Sequence, residues 1–330
     1  MSWFTDLVGF PETDADAVRA QLALEGDRLT SRGNGASWAC GTLSTPSLAE
    51  LRQTPIDRAG PVTLRELVGN VQSLHCDPAH AGALFQAASQ FNLLEMAGPS
   101  VTPEAGVGIY ETDHTQGPAC AIACGAGTIV RNYFAPVAGA VGQTADRQVD
   151  CLADIGAALG NDGERLWRMQ NGYAFVSPEG RRAIAERLRG MDEAERDALR
   201  GRLRIGLVTD TEVTLRGAGH RVAQVYGSAL PVAYGGGPEA EWEPFARLVL
   251  DASYEATLRA AAANASATGH RTVFLTLLGG GVFGNALPWI TDAIWRALET
   301  VGPADLDVAI VSYGRSRREV AELAARWTRR

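Results

Sequence analysis

The stretch "RTVFLTLL", residues 271–278, is an apolar run without polar alternation, and it leads straight into "GGGVFGN" and the helical pattern "ALPWITDAIWRAL". A strand that is apolar on both faces must be covered on both faces, which requires a largely parallel sheet enclosed by helices. The same rhythm appears in "RVAQVYGSALPVAY" followed by "EAEWEPFARLVLDASYEATLRAAAANA", and in "LDVAIVSY" followed by "RREVAELAARW". In the long helical segment Trp242, Phe245, Val249, Ala252 and Ala256 share a face at three- and four-residue steps; in the next one Leu287, Ile290, Ile294 and Leu298 do. These units predict one α/β domain rather than two.

Composition removes whole classes of function. All 30 basic residues are arginine, a usage that fits a GC-rich bacterial genome. With no lysine there is no Schiff-base, P-loop or kinase-strand lysine. The five cysteines (Cys40, Cys76, Cys120, Cys124, Cys151) are odd in number and form no CxxC pair. The five histidines show no metal-ligand spacing, so no cofactor is expected, and magnesium has no ligand motif to support it. Asp146, Asp150 and Asp154 recur at four-residue steps and read as an acidic helix face. The formal charge of −8 and the acid-interleaved arginines of "EGRRAIAERLRGMDEAERDALRGRLR" argue against direct nucleic-acid binding. No apolar run approaches a membrane span, and "MSWFTDLVGFPETDADAV" lacks a basic-then-apolar leader, so a cytoplasmic protein is expected.

Earlier in the chain, "VQSLH", "LFQAASQFNLLEM", "TIVRNYFAPV" and "RLWRMQNGYAFV" are read as strands and "GPACAIACGAG" as a short helix. "RGNGAS" marks a turn, and Asp192 with Glu195 has capping-box spacing at the start of a helix.

Gly279, Gly280 and Gly281 stand where a buried strand gives way to a helix start. In open α/β sheets ligands collect at that rim, and free N–H groups there favour an anion. Bare glycines let the backbone wrap a phosphate, with Val282, Phe283, Gly284 and Asn285 completing the turn. A tight turn without a ligand is the alternative. The loop lacks the Walker lysine and does not match GxGxxG.

Asp77 after "VQSLH", Asn92 and Glu95 in "FNLLEM", the loop "GGGVFGN" and Tyr313 in "VSYGRS" follow one another in an order that resembles the macrodomain and poly(ADP-ribose) glycohydrolase superfamily. The resemblance spans about residues 65–320. It implies a three-layer α/β/α sandwich with a mixed, largely parallel central sheet. Residues 1–64 would form an N-terminal extension packed on the core. Residues 65–330 would form the ADP-ribose-binding domain, with an insertion at about 130–220. It further implies that Asp77 meets the adenine, Asn92 the distal ribose, residues 279–285 the diphosphate, and Tyr313 the adenine border. Thr115 and Gly117 join this binding set at the head of "QGPACAIA".

The sequence departs from the superfamily at two points. Glu95 and "MAGPSVTPEAGVGIYETDHTQGPA" stand where a second asparagine and a glycine run belong. Asp113, His114, Thr115, Gln116 and Gly117 stand in place of the paired glutamates of the glycohydrolases. Cleaving an ADP-ribosyl linkage builds positive charge at the anomeric carbon, which a carboxylate can stabilise while moving a proton. Of the acids in these segments, Glu104 included, Glu95 and Asp113 are the catalytic candidates, with Gln116 as an orienting donor. Arg131, Tyr133 and Trp167 are further residues that could frame a pocket. The implied partner is ADP-ribose or an ADP-ribosylated macromolecule, and the implied activity a hydrolase. A non-enzymatic reader and a scaffold with a degenerate pocket are the alternatives.

Overall fold

The computed structural model describes residues 2–330. Its centre is a sheet of seven strands: β1 (Thr42–Ser44), β2 (Thr63–Val68), β3 (Leu84–Ala88), β4 (Gly206–Glu212), β5 (Arg221–Gly227), β6 (Thr272–Leu275) and β7 (Asp307–Ser312). Their order across the sheet is β1-β4-β5-β3-β6-β7-β2. From β5 to β2 every pairing is parallel, while β4 runs antiparallel to both β5 and β1. This is the expected mixed, largely parallel sheet. Gly206–Glu212, inside the stretch read as an insertion, is one of its strands, and the N-terminal segment contributes β1 at one edge.

Six helices matter for the site: α1 (Val71–Cys76), α2 (Gln116–Ala123), α3 (Gly125–Tyr133), α4 (Glu239–Thr268), α5 (Leu287–Val301) and α6 (Arg318–Thr328). Neighbouring residues of β3 show the two covered faces, because side chains alternate along a strand. Phe85 stacks on His75 of α1 with ring centroids 3.7 Å apart. Gln86 turns the other way and donates to Thr257 of α4 at 3.0 Å. The predicted faces of α4 and α5 are buried, from Trp242 to Ala256 and from Ile290 to Leu298.

Three strand expectations fail, each for a local reason. "VQSLH" is helix α1, because the Asn70 side chain caps it by accepting from Gln72 and Ser73. "TIVRNYFAPV" falls mostly in α3, which is buried on every side, polar Thr128, Arg131 and Asn132 included, and so presents no solvated face. "LFQAASQFNLLEM" is a strand only to Ala88. Beyond it the Gln90 carboxamide grips both the N–H (3.0 Å) and the C=O (3.2 Å) of Met96 and closes a loop. "RLWRMQNGYAFV" is a hairpin, Trp167–Gln170 with Tyr173–Val176.

The N-terminal segment adds a three-stranded antiparallel sheet and its own core, in which Phe4, Val8 and Leu29 pack against Tyr110, Ile129 and Tyr133. Glu12 ties it down by accepting from the N–H groups of Val107 (2.8 Å) and Gly108 (2.6 Å) and from the Tyr133 hydroxyl (2.7 Å). Replacing Glu12 with Ala strands three donors at once. We expect a loss of about 3 kcal/mol in urea unfolding; a change within experimental error would show that this anchor is dispensable.

Candidate functional site

A cleft of about 820 Å³ opens at the carboxyl ends of β3, β6, β7 and β2. The glycine loop forms one wall and the start of α2 the other. The loop after β2 (Gly69, Asn70), Tyr313 and Arg317 close one end, and Gln90, Tyr173 and Tyr234 lie along the lining.

The loop is built by its own backbone. Gly280 donates to Leu277, Gly284 to Gly281 and Asn285 to Gly279, each at 3.0 Å. Buried Asn285 holds the base of the loop, its side-chain amide donating to Leu230 at 2.8 Å. The N–H groups of Gly281, Val282 and Phe283 find no acceptor among the described residues, and all three residues line the cleft. Three successive free donors just ahead of the α5 N-terminus make a concave, partially positive cradle. The glycines differ in what they do. Gly279 lies at φ 71°, and a Cβ there would sit 2.5 Å from that of Ala229. Gly284 lies at φ 72°, and a Cβ at Gly280 would meet Ile290 at 2.9 Å. Gly281 faces open space. Phe283 joins Tyr173 and Tyr234 in an aromatic cluster with centroids 5.3–6.0 Å apart.

Across the cleft, α2 begins in close contact with the end of β3. A Cβ on Gly117 would lie 1.9 Å from the Ala88 carbonyl oxygen, so only glycine fits. The Gln116 carboxamide accepts from Ala88 N–H (2.9 Å) and donates to Gln86 C=O (2.7 Å), pairing with the strand as a neighbouring backbone would. It therefore serves the docking of α2, and the expectation of a donor free to orient a substrate is corrected. Thr115 and His114 are exposed on the wall. Asp113 is half-buried, lines the cleft and accepts from Thr115 N–H at 2.8 Å, which fixes its turn.

Glu95 forms part of the wall, but its carboxylate is turned inward onto Arg131 at 3.1 Å, with side-chain exposures of 1% and 0%. Arg131 also donates to the Leu93 carbonyl and to Thr128, and lies 3.5 Å over the Tyr226 ring. Burial pushes the Glu95 carboxyl up to about 7, against the pull of Arg131. Its oxygens are engaged by the guanidinium, which leaves Asp113 as the accessible acid of the two catalytic candidates.

Two assigned binding residues lie elsewhere. Asp77 is exposed at the far end of α1, at the amino ends of the strands, where it caps the Pro78–His80 turn by accepting from Ala79. Its expected place at the adenine requires "VQSLH" to be a strand; as a helix the segment carries Asp77 away from the rim. Asn92 is fully buried in the loop after β3, accepting from Leu94 and donating to Gln148. It does not line the cleft. Glu104 accepts from Ala145, Tyr133 packs in the N-terminal core, and Trp167 packs on Phe245. Tyr313, 78% exposed, does line the cleft. The sequence reading missed Gln90, Tyr173, Tyr234, Trp3 and Arg317. They come from five separate segments, so no spacing could have joined them.

No family model matches the chain, and no curated protein matches it by sequence. Solved structures similar to it include poly(ADP-ribose) glycohydrolases from two bacteria. The enzyme from Thermomonospora curvata is 14% identical at a TM-score of 0.45, with 96% of each chain covered, and its complex with the inhibitor ADP-HPD scores the same. A mutant of the Deinococcus radiodurans enzyme in complex with ADP-ribose is 13% identical at 0.46, covering 86% of this chain and 91% of that one.

Two outcomes follow from this geometry. Gly279→Ala should cost about 1–3 kcal/mol in thermal or urea unfolding, from left-handed strain and the Ala229 contact, whereas Gly281→Ala should leave stability unchanged. Glu95 holds a proton in the fold up to about 7 that the unfolded chain, at 4.5, releases earlier. Between those values the folded state binds more protons, so stability should fall as pH rises through that window. Urea titrations at both ends of the window should show the slope in the parent and a flatter one in Glu95→Gln.

Proposed function

We propose that the cleft binds ADP-ribose, free or attached to a macromolecule, and that the protein hydrolyses an ADP-ribosyl linkage. The observation that carries this reading is the cradle of free N–H groups at Gly281, Val282 and Phe283, facing an acid-bearing helix start across the cleft. A diphosphate supplies the acceptors these donors lack, in a chain with no lysine to do so. The motif resemblance supports the same ligand. With Asp77 removed, the purine end falls to Tyr313 and Arg317 beside the loop after β2.

In the hydrolysis, water oxygen bonds to the anomeric carbon as the bond to the acceptor breaks. Asp113 stabilises the developing cation and takes the proton of the attacking water; the leaving atom is protonated by solvent. The aromatic cluster of Tyr173, Tyr234 and Phe283 offers apolar faces for the sugar and restricts water around it.

Binding without turnover is the second reading. It is favoured by one observation: both the Gln116 carboxamide and the Glu95 carboxylate are committed to structure. Calorimetry with ADP-ribose, AMP and NAD, followed by release of ADP-ribose from a modified protein, separates the two. Gly281→Glu places a carboxylate in the cradle without backbone strain and should weaken ADP-ribose binding by about a hundredfold at unchanged melting temperature. Asp113→Asn should keep binding and lower kcat by about 10²–10⁴. Absence of any ADP-ribose binding by the parent would reject both readings.

A further inference from the structure

The Glu95–Arg131 pair is the most completely buried ion pair of the described residues, and the proposed hydrolysis does not use it directly. Its connections run toward the cleft. The Glu95 N–H donates to the hydroxyl of buried Tyr110 at 3.1 Å. Tyr110 belongs to the short turn Gly108–Thr112, and its carbonyl accepts the N–H of Asp113 at 3.2 Å. On the other side, Glu95 packs against the start of α2: a Cβ on Gly117 would lie 3.1 Å from Glu95 Cγ. Behind the carboxylate, Arg131 grips the carbonyl of Leu93, a non-glycine residue at φ 67°. An isolated charge so deeply buried is costly, and removing either partner leaves the other uncompensated. The pair therefore sits where its loss would be transmitted to both sides of Asp113.

We propose that Glu95, Arg131 and Tyr110 are positioning residues that set the place of Asp113: Arg131 locks the Glu95 loop, Tyr110 carries that placement to the Asp113 turn, and none of the three touches substrate. This deepens the hydrolase reading and rests on Asp113 as the reacting acid.

The test uses the full chain with two alterations. One is the charge-neutral double variant Glu95→Leu/Arg131→Met, since replacing both members of a buried pair by apolar side chains is tolerated where replacing one is not. The other is Tyr110→Phe, a smaller change that keeps the proposal falsifiable should the double variant not fold. Hydrogen exchange is followed at the amides of residues 110–116 and, as an internal control, of 279–285; calorimetry gives the Kd for ADP-ribose, and turnover gives kcat and KM. We expect faster exchange over 110–116 with 279–285 unchanged, Kd within about threefold of the parent, and kcat lower by about ten- to a hundredfold, the effect of a small misplacement of a reacting group. Unchanged exchange over 110–116 in Tyr110→Phe overturns the proposal. So does a Glu95→Gln variant as inactive as Asp113→Asn with its exchange unaltered, because Glu95 would then act on substrate itself. Should the parent turn over no ADP-ribosyl substrate, the hydrolase reading fails separately, and the exchange measurement still decides whether the buried pair holds the Asp113 turn.

Discussion

The contact on which the cleft depends is the seating of the first turn of α2 against the end of β3. Gly117 brings its Cα where any side chain would overlap the Ala88 carbonyl, and Gln116 completes the strand's hydrogen bonding with its carboxamide. A helix start is thus sealed to a strand end by a side chain acting as backbone. The unpaired polar groups of the β3 terminus are satisfied, which a buried sheet end requires. As a result the Asp113 turn is carried to the sheet's rim, opposite the glycine loop. Without that seating the two walls would have no fixed separation.

Charge in the cleft is arranged without lysine and with few free ions. On one wall the positive potential comes from backbone N–H groups and the start of α5, with Arg317 at one end. On the other, Asp113 and Glu111 are accessible and Glu95 is enclosed. The enclosed acid is matched by Arg131, itself stacked on Tyr226, so the pair is kept out of water beneath the site. Fixed dipoles and locked ions of this kind need little reorganisation when charge develops nearby, the property that electrostatic stabilisation of a transition state requires.

The sheet class, the helix faces of α4 and α5 and the glycine loop could be read from local pattern, because each depends on residues adjacent in the chain, whereas Tyr313 came only with the family resemblance. The misread elements share a cause. α3 buries its polar residues Thr128, Arg131 and Asn132 along with its apolar ones, so no exposed polar face marks it as a surface helix; α1 is a six-residue helix set by a cap, Asn70, that composition does not advertise. The error in α1 carried a functional one with it, since a helix in place of a strand moves Asp77 to the opposite end of the sheet. Asn92 and Glu95 likewise lie beyond the strand, which stops at Ala88, and the loop that follows it turns both side chains inward.

By itself the sequence determined that this chain would bury apolar parallel strands between amphipathic helices, and that a bare-backbone turn would stand at the end of one of them. Both are consequences of short-range periodicity and of the missing Cβ. Only the tertiary structure decided which polar residues face the cleft and which are consumed in holding it. Asp113 and Glu95 are both acids in loops, and nothing local separates them. What separates them is Arg131 of α3, 36 residues beyond Glu95 in the chain, which draws one carboxylate into the protein and leaves the other in reach of water.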